Sequence, residues 1–229
     1  MILRPEEWAA LALSLKVSFW AVILSLPLAL LVAWVLARRE FRGKSLLSAL
    51  VYLPLILPPV VTGYLLLLMF GRAGIIGEFL ARFGIVLAFR WTGAALAAAI
   101  MGFPLMVRAI RLAIEAADPK LEAAAATLGA GPTARFILVT LPLIAPGILA
   151  GAVLGFAKAM GEFGATITFV ANIPGQTQTL PSAIYAFLQV PGGESSALRL
   201  VGLSLFVALG AVLVSEWLAR RMAERIGQR

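Results

Sequence analysis

Long apolar runs without a charged residue constrain this chain more than any other feature of its sequence. Each is long enough, or nearly long enough, to cross about 30 Å of hydrocarbon as a helix. The five runs are Val17–Ala37, Leu46–Phe70, Trp91–Val107, Phe136–Ala157 and Leu200–Ser215. With 62% hydrophobic and only 13% charged residues, the chain has too few polar groups to cover a water-soluble fold. The sequence therefore predicts an all-α integral membrane protein with about five spans.

Basic residues are distributed unevenly between the two sides that five spans would define. The segments after the first, third and fifth runs hold Arg38, Arg39, Arg42, Lys44, Arg108, Arg111, Lys120, Arg135, Arg220, Arg221, Arg225 and Arg229. The other side holds Arg4, Lys16, Arg72, Arg82, Arg90, Lys158 and Arg199. Because loops rich in Lys and Arg stay in the cytoplasm, this bias predicts an N-terminus outside the cell. It also explains the net charge of +8 by topology, so no nucleic-acid partner is expected.

The residue types that are missing exclude several classes of protein. The chain has no cysteine and no histidine, which excludes disulfides, Cys/His metal sites and thiol nucleophiles. Its acidic residues lie outside the apolar runs, so no acid/base pair can be assembled at bilayer depth. Ion-coupled carriers place such groups inside their spans, which makes a secondary transporter a remote alternative. We expect no enzymatic activity, no metal site and no cofactor.

A segment at about residues 115–135, predicted to be cytoplasmic, carries the most informative local pattern. Asp118 is a suitable N-cap, Pro119 fits the first helical turn, and Gly129 can end the helix. One face carries the apolar row Leu121, Ala124, Ala125 and Leu128. The pattern predicts a short amphipathic helix outside the bilayer, with this row against its own membrane domain. The small side chains of Ala123–Ala126 would let another protein approach the helix backbone.

The spacing from this helix through its glycine to a later Leu-Pro pair resembles the EAA loop of ABC importer permeases, the element that docks onto the ATPase subunit. The resemblance assigns docking to Glu122, Ala124, Ala125, Gly129, Leu141 and Pro142. In the commonest form of the loop the acid stands six residues before the glycine, where this chain has Ala123, whereas Glu122 stands seven before. The ATP-binding pattern G-x-x-x-x-G-K-[ST] does not occur in the sequence, so the resemblance implies a separate ATPase subunit.

Prolines and glycines mark two of the apolar runs. Pro54, Pro58 and Pro59 interrupt the second run, where freed backbone carbonyls must find new partners. A broken helix beside a pathway and simple kinks for packing explain these prolines equally well. The fourth run carries glycines at every fourth position, Gly147, Gly151 and Gly155, which predicts a face for close approach of another helix.

Two segments between the apolar runs are too polar to span. Ile75–Phe89 carries Glu78 and Arg82 at i,i+4 and is predicted to lie on the outer surface. Residues 161–198 are rich in Thr, Asn, Gln, Gly and Pro, which indicates a re-entrant or partly embedded outer segment. Within it, we expect Glu162 to cap a helix end or to pair with Lys158, because an ionised carboxylate repels an anion.

The motif GEFGATITFVANIPGQTQTLPSAIY, with LPLILPPVVTGY and PGGESSA, resembles the permeases of molybdate ABC importers and, more generally, oxyanion permeases that include those for sulfate. The resemblance covers nearly the whole chain and implies a single permease domain, residues 1–229, with the type I importer fold. It implies molybdate, with tungstate, as the transported solute. A permease for sulfate or another small anion is the serious alternative.

The same resemblance implies an assembly in a bacterial or archaeal cell membrane. Two copies of the chain form the path, two ATPase subunits bind the cytoplasmic loops, and an extracytoplasmic binding protein delivers the solute. It places Glu162, Phe163, Gly164 and Thr166 near the gate. Weaker candidates to line the path with hydrogen-bond donors are Thr168, Asn172 and Thr179. Ordinary packing or a loop hydrogen bond is the competing interpretation for each of these residues.

Overall fold

The computed structural model describes residues 4–226, and these residues fold into helices joined by short connections. The helices are α1 Pro5–Arg38, α2 Lys44–Ile56, α3 Pro59–Phe70, α4 Ile75–Ala81, α5 Trp91–Ala116, α6 Pro119–Thr127, α7 Pro132–Arg135, α8 Leu141–Met160, α9 Gly164–Val170, α10 Leu180–Leu188 and α11 Glu194–Ile226. A π-helical turn, Phe136–Thr140, joins α7 to α8. The prediction of an all-α protein is confirmed.

Within residues 4–226, four uninterrupted stretches are long and apolar enough to cross a membrane: α1, α5, Pro132–Met160 and Glu194–Leu218. The pair α2 and α3 gives a fifth only if the two are counted together, because their axes differ by 112°. Leu57 and Pro58 separate the two helices, and Pro58 and Pro59 lack the N–H groups that a continuous helix needs. The proline-rich run is therefore broken and not merely kinked, and its position beside a pathway stays a prediction.

The centre of the bundle is formed by α1, α5 and α8. The glycines at every fourth position of α8 face α5, as the spacing predicts. A Cβ atom added at Gly151 would lie 3.1 Å from the Met106 carbonyl oxygen, and one added at Gly155 would lie 2.6 Å from the Met106 sulfur. Close approach along this face is thus confirmed, and the partner helix belongs to the same chain.

The segment 75–89, predicted to lie on the outer surface, is helical only over α4. Glu78 and Arg82 form the expected pair, with 3.3 Å between exposed side chains. Turns follow, with Gly84 at φ +74°. Since a helix this short cannot cross a bilayer, α4 fits the predicted surface position.

The topology gives the bundle two ends that carry different polar groups. We call the end that holds Arg38, α6 and Thr140 the docking end. The opposite end, which holds Glu7, Glu162 and Arg199, is called the far end. The chain reaches the docking end at the last turn of α1 and again between α5 and α8. The candidate docking residues and the candidate path residues therefore lie in different parts of the molecule.

Candidate functional site

The predicted docking helix is present as α6, and its two ends are set by the expected residues. A side-chain oxygen of Asp118 accepts a hydrogen bond of 2.9 Å from the Lys120 backbone N–H. At the other end, Gly129 has φ +87°, and the Ala130 N–H donates to the Ala125 carbonyl at 3.0 Å. This is the Schellman arrangement, in which a left-handed residue closes the helix. A residue with a Cβ atom would be strained at position 129.

The apolar row of α6 does not pack as predicted. Leu121 is 47% exposed and Leu128 is 88% exposed, and α6 contains no buried residue. The expectation that this row lies against the membrane domain of the same chain is therefore wrong. The reason is electrostatic, because the carboxylate of Glu122 turns toward the bundle, where it finds a cation and a hydroxyl donor. Leu121, Ala124 and Leu128 are left on the outward side, and Ala125 is half-buried.

Glu122 binds two other parts of the chain. Its Oε1 atom accepts from the Arg38 guanidinium at 2.8 Å and from the Thr140 hydroxyl at 3.0 Å. Arg38 is the last residue of α1, and Thr140 is the last residue of the π-helical turn. The side chains of Glu122 and Arg38 are 29% and 24% exposed. The docking helix is thus tied to its own bundle by the acid that the resemblance assigns to the ATPase.

The remaining predicted docking residues lie in α6 itself and at the start of α8. Ala124 is exposed and Ala125 is half-buried. Leu141, which is half-buried, begins α8, and the exposed Pro142 follows it. Pro142 has no N–H to donate to the Leu138 carbonyl, so the regular α-helical ladder is interrupted here. Instead, the Leu141 N–H donates to the Phe136 carbonyl, five residues earlier.

The two motifs on which the oxyanion resemblance depends lie against each other. A Cβ atom added at Gly63 of α3 would lie 2.5 Å from the Ala165 carbonyl oxygen, and one added at Gly164 would lie 2.7 Å from the Cβ atom of Pro59. Both glycines therefore permit an approach of backbone to backbone that larger residues would block. Helix α3 and the segment around α9 therefore form one packed unit.

Glu162 has both structural roles that the sequence suggested. Its Oε1 atom accepts from the Ala165 N–H at 2.9 Å, which caps the start of α9. Its Oε2 atom lies 2.8 Å from the Lys158 ammonium, and the side chain is 1% exposed. The charge of this buried acid is consequently neutralised inside the chain.

The other predicted path residues make mostly local contacts. Buried Thr166 donates to the Phe163 carbonyl at 2.9 Å, Thr168 donates to the Gly164 carbonyl at 2.9 Å, and buried Thr179 shares a hydrogen bond of 3.2 Å with Ser182. The ring of Phe163 packs against Tyr185 with 5.2 Å between centroids.

Asn172 differs from these threonines. Its Oδ1 atom is buried and has no hydrogen-bond partner within residues 4–226. The preceding residue, Ala171, has φ 62° and ψ −167°, a conformation in which residues other than glycine are rare. The corner after α9 is therefore strained and carries an unsatisfied amide oxygen.

Sequence analysis missed an ion pair at the far end. Glu7 in α1 is fully buried and its Oε1 atom lies 2.6 Å from the Arg199 guanidinium of α11. Arg199 also donates to the Ser196 hydroxyl at 2.8 Å. The two charged residues are 192 positions apart, so no local spacing could have connected them. An acid next to the first apolar run was the sole available signal.

Comparison with solved structures identifies the class of fold. The chain superposes on the structure described as an amino acid ABC transporter with histidines, with a TM-score of 0.66 over 95% of this chain and 94% of that one, at 21% identity. At this identity the likeness establishes the fold alone. The fold is that of the membrane domain of an ABC transporter.

Sequence comparison then identifies the family. Residues 25–225 match the model of the binding-protein-dependent transport system inner membrane component, and the chain belongs to this family. It is 59% identical to the molybdenum transport system permease protein ModB of Escherichia coli K12, over all of both chains. It is 54% identical to ModB of Haemophilus influenzae, over 97% of each chain. The protein is thus a multi-pass inner-membrane transport component.

Proposed function

We propose that this chain is the permease of a molybdate ABC importer, which carries molybdate and also tungstate into the cytoplasm by alternating access. The observation that carries the proposal is the end-to-end likeness to a permease named for molybdenum transport. Uptake of labelled molybdate should fall at least tenfold in cells that lack the chain and recover when the gene is restored. Unlabelled tungstate should compete with the restored uptake.

The charge arrangement of the chain is compatible with an anionic solute. A dianion would be repelled by an unpaired carboxylate in its path, and Glu162, the buried acid closest to the predicted gate, is paired with Lys158. Hydroxyl and amide groups in the segment 161–185 can donate hydrogen bonds without trapping the ion by fixed charge. Selection against sulfate is then assigned to a solute-binding protein. Loss of sulfate uptake with intact molybdate uptake in the deletion strain would favour the sulfate alternative.

Two ATPase subunits, a solute-binding protein and a second copy of this chain complete the proposed importer. The exposed face of α6, with Leu121, Ala124 and Leu128, offers an apolar surface to the ATPase. Replacement of Leu128 by Asp should remove most of the ATPase subunit that copurifies with the chain. The matched control is Phe41→Asp, which changes an apolar residue that is 41% exposed and lies at the same end of the bundle, between α1 and α2. Equal loss in both variants would contradict a specific role of α6.

The proposed topology has the N-terminus outside and the docking end in the cytoplasm. In support of it, Arg38, α6 and Thr140 are gathered at one end of the bundle, where the positive-inside rule also puts them. The chain has no cysteine, so single cysteines can be placed cleanly. A cysteine at the exposed position Ser45 should resist an impermeant thiol reagent in intact cells and react after permeabilisation. Labelling in intact cells would overturn the topology.

A further inference from the structure

Glu122 lies where three separate segments of the chain meet. It belongs to α6, Arg38 closes α1, and Thr140 ends the π-helical turn before α8. One carboxylate oxygen accepts from both donors, at 2.8 Å and 3.0 Å. The partners are 84 and 18 residues away in sequence. This contact is therefore a tertiary junction, and it involves the docking helix.

The two partners belong to the central part of the bundle. Helix α1 packs along both α5 and α8, so Arg38 is the end of a central element. Thr140 is 3% exposed and its hydroxyl also reaches the Arg135 carbonyl at 3.5 Å. Through these two residues, Glu122 is connected to α1 on one side and to the start of α8 on the other.

The π-helical turn distinguishes the link between Glu122 and the start of α8 from the link between Glu122 and α1. A π-helical turn is a wider and less common form of helix and is frequent at functional sites. Here its cause is local, because Pro142 cannot donate to the Leu138 carbonyl and the backbone uses the longer spacing from Leu141 to Phe136. Thr140 therefore binds Glu122 at a point where the regular α-helical hydrogen-bond pattern is interrupted. A side-chain link at this place fixes the direction in which α8 leaves the docking segment.

The outward face of α6 does not include Glu122. At 3.6 residues per turn, Ala124, Leu128 and Leu121 share one side of the helix, and Glu122 points away from them. The exposed fractions agree with this, because Leu128 is 88% exposed whereas the Glu122 side chain is 29% exposed. A surface that approaches the apolar face would meet the leucines and alanines of α6 and not this carboxylate.

We propose that Glu122 is a positioning residue that locks the docking helix to Arg38 and Thr140, so that a displacement of α6 moves α1 and α8 together. The inference rests on the proposed docking of α6 to an ATPase subunit, and it reassigns Glu122 from contact with that subunit to transmission inside the permease. Coupling between two sites typically changes an affinity about 5- to 150-fold, and one charge-assisted junction can supply an effect at the lower end of this range.

The test is a comparison of ATPase binding with coupling in the complete importer, reconstituted in vesicles with its ATPase and binding protein. Two quantities are measured, the ATPase that copurifies and the molybdate transported per ATP hydrolysed. Glu122→Gln should keep ATPase binding within about twofold and lower transport per ATP about fivefold. Arg38→Glu should give the same decoupling. The swapped double variant, Glu122→Arg with Arg38→Glu, should regain at least half of the lost coupling.

Thr140→Val is the milder variant, because it keeps the shape of the side chain and removes only the hydroxyl. If the charge variants fail to fold, this variant tests the proposal in their place. It should lower the molybdate transported per ATP about twofold to threefold. Unchanged transport per ATP in Glu122→Gln and Thr140→Val would overturn the proposal. Loss of ATPase binding in Glu122→Gln, with no rescue by the swap, would also overturn it, since the carboxylate would then contact the ATPase.

Failure of the underlying docking function has a different signature. Leu128→Asp alters the outward face of α6 and leaves Glu122, Arg38 and Thr140 in place. If this variant retains full ATPase binding, α6 is not the docking element, whatever the Glu122 variants show. If it loses ATPase binding while Glu122→Gln keeps it, docking and positioning are separate roles of opposite faces of one helix, as proposed.

Discussion

The two ends of the bundle hold their acidic residues in different ways. At the far end, the Glu7 side chain is fully buried against Arg199, and the Glu162 side chain is 1% exposed beside Lys158. At the docking end, the Glu122 side chain remains 29% exposed. Removing one partner of a buried ion pair is strongly destabilising, whereas water takes over much of the role of an exposed partner. The far end is therefore held by buried ion pairs, whereas the Glu122 contact that holds the docking end is partly open to water.

The largest effect is expected at Glu7. The substitution Glu7→Leu leaves the Arg199 guanidinium without its carboxylate and should lower the free energy of unfolding by about 3 kcal/mol. The measurement is the temperature at which the detergent-purified protein loses monodispersity. Normal thermal stability of this variant would show that the buried acid of the far end does not stabilise the fold more than the partly exposed acid of the docking end.

A double variant separates the lost ion pair from the lost packing. Glu7→Leu combined with Arg199→Met replaces both charges by apolar groups of similar length, which is often nearly neutral. We expect it to regain most of the stability lost by Glu7→Leu alone. A double variant as unstable as the single one would show that the unpaired guanidinium is not the cause.

Glu162 should give the next largest effect. Glu162→Ala removes both the cap on the Ala165 N–H and the ion pair with Lys158, at an expected loss of about 2 kcal/mol. Glu162→Gln keeps an oxygen that can accept from Ala165 and should lose about 1 kcal/mol. Thermal unfolding of the two purified variants gives the comparison. Equal losses would assign the whole effect to the ion pair and none to the cap.

Gly129 tests the docking end. Gly129→Val forces a β-branched residue into φ +87° and should cost about 1–2 kcal/mol locally, with an end of α6 that no longer closes correctly. Overall thermal stability should change little, and ATP hydrolysis stimulated by the binding protein should fall several-fold. Gly131→Val is the matched control, because Gly131 is extended at φ −67° and has open space around it. Full stimulation in Gly129→Val would count against the docking role.

The smallest effect is expected for the exposed ion pair between Glu78 and Arg82. Glu78→Gln breaks the contact with Arg82, in which the side chains are 67% and 71% exposed. Such surface pairs contribute about 0–1 kcal/mol, so unfolding temperature and transport should both stay close to the original values. A marked loss would show that burial is not what distinguishes Glu7 from other acids.

Sequence alone predicted those features of the fold that depend on local pattern. The apolar runs gave the spans, Asp118 and Gly129 gave the limits of the docking helix, and the glycines of α8 predicted a close neighbour. Each of these depends on residues within one or two turns of each other, where spacing and backbone preference decide the outcome. The break between α2 and α3 was left open, because prolines allow either a kink or a break until the surroundings are known.

Features that depend on tertiary contacts were missed or wrong. The predicted orientation of α6 was wrong. Amphipathicity predicted that its apolar row faces the bundle, whereas Glu122 faces the bundle and contacts Arg38 and Thr140. The Glu7 and Arg199 pair was missed because its members are brought together only by packing of the first and last described helices. The assignments of the docking and path residues to their partners stay predictions.

The close fit of α8 on α5 has a consequence for how force can travel through the protein. With the Cβ position of Gly151 only 3.1 Å from the Met106 carbonyl oxygen, a rotation of α8 by one residue position, about 100°, would bring a larger side chain into that backbone. Helices α5 and α8 flank α6 and α7 in the chain, and their close packing joins them into one rigid unit. The two helices can tilt together, whereas α8 cannot rotate about its own axis against α5.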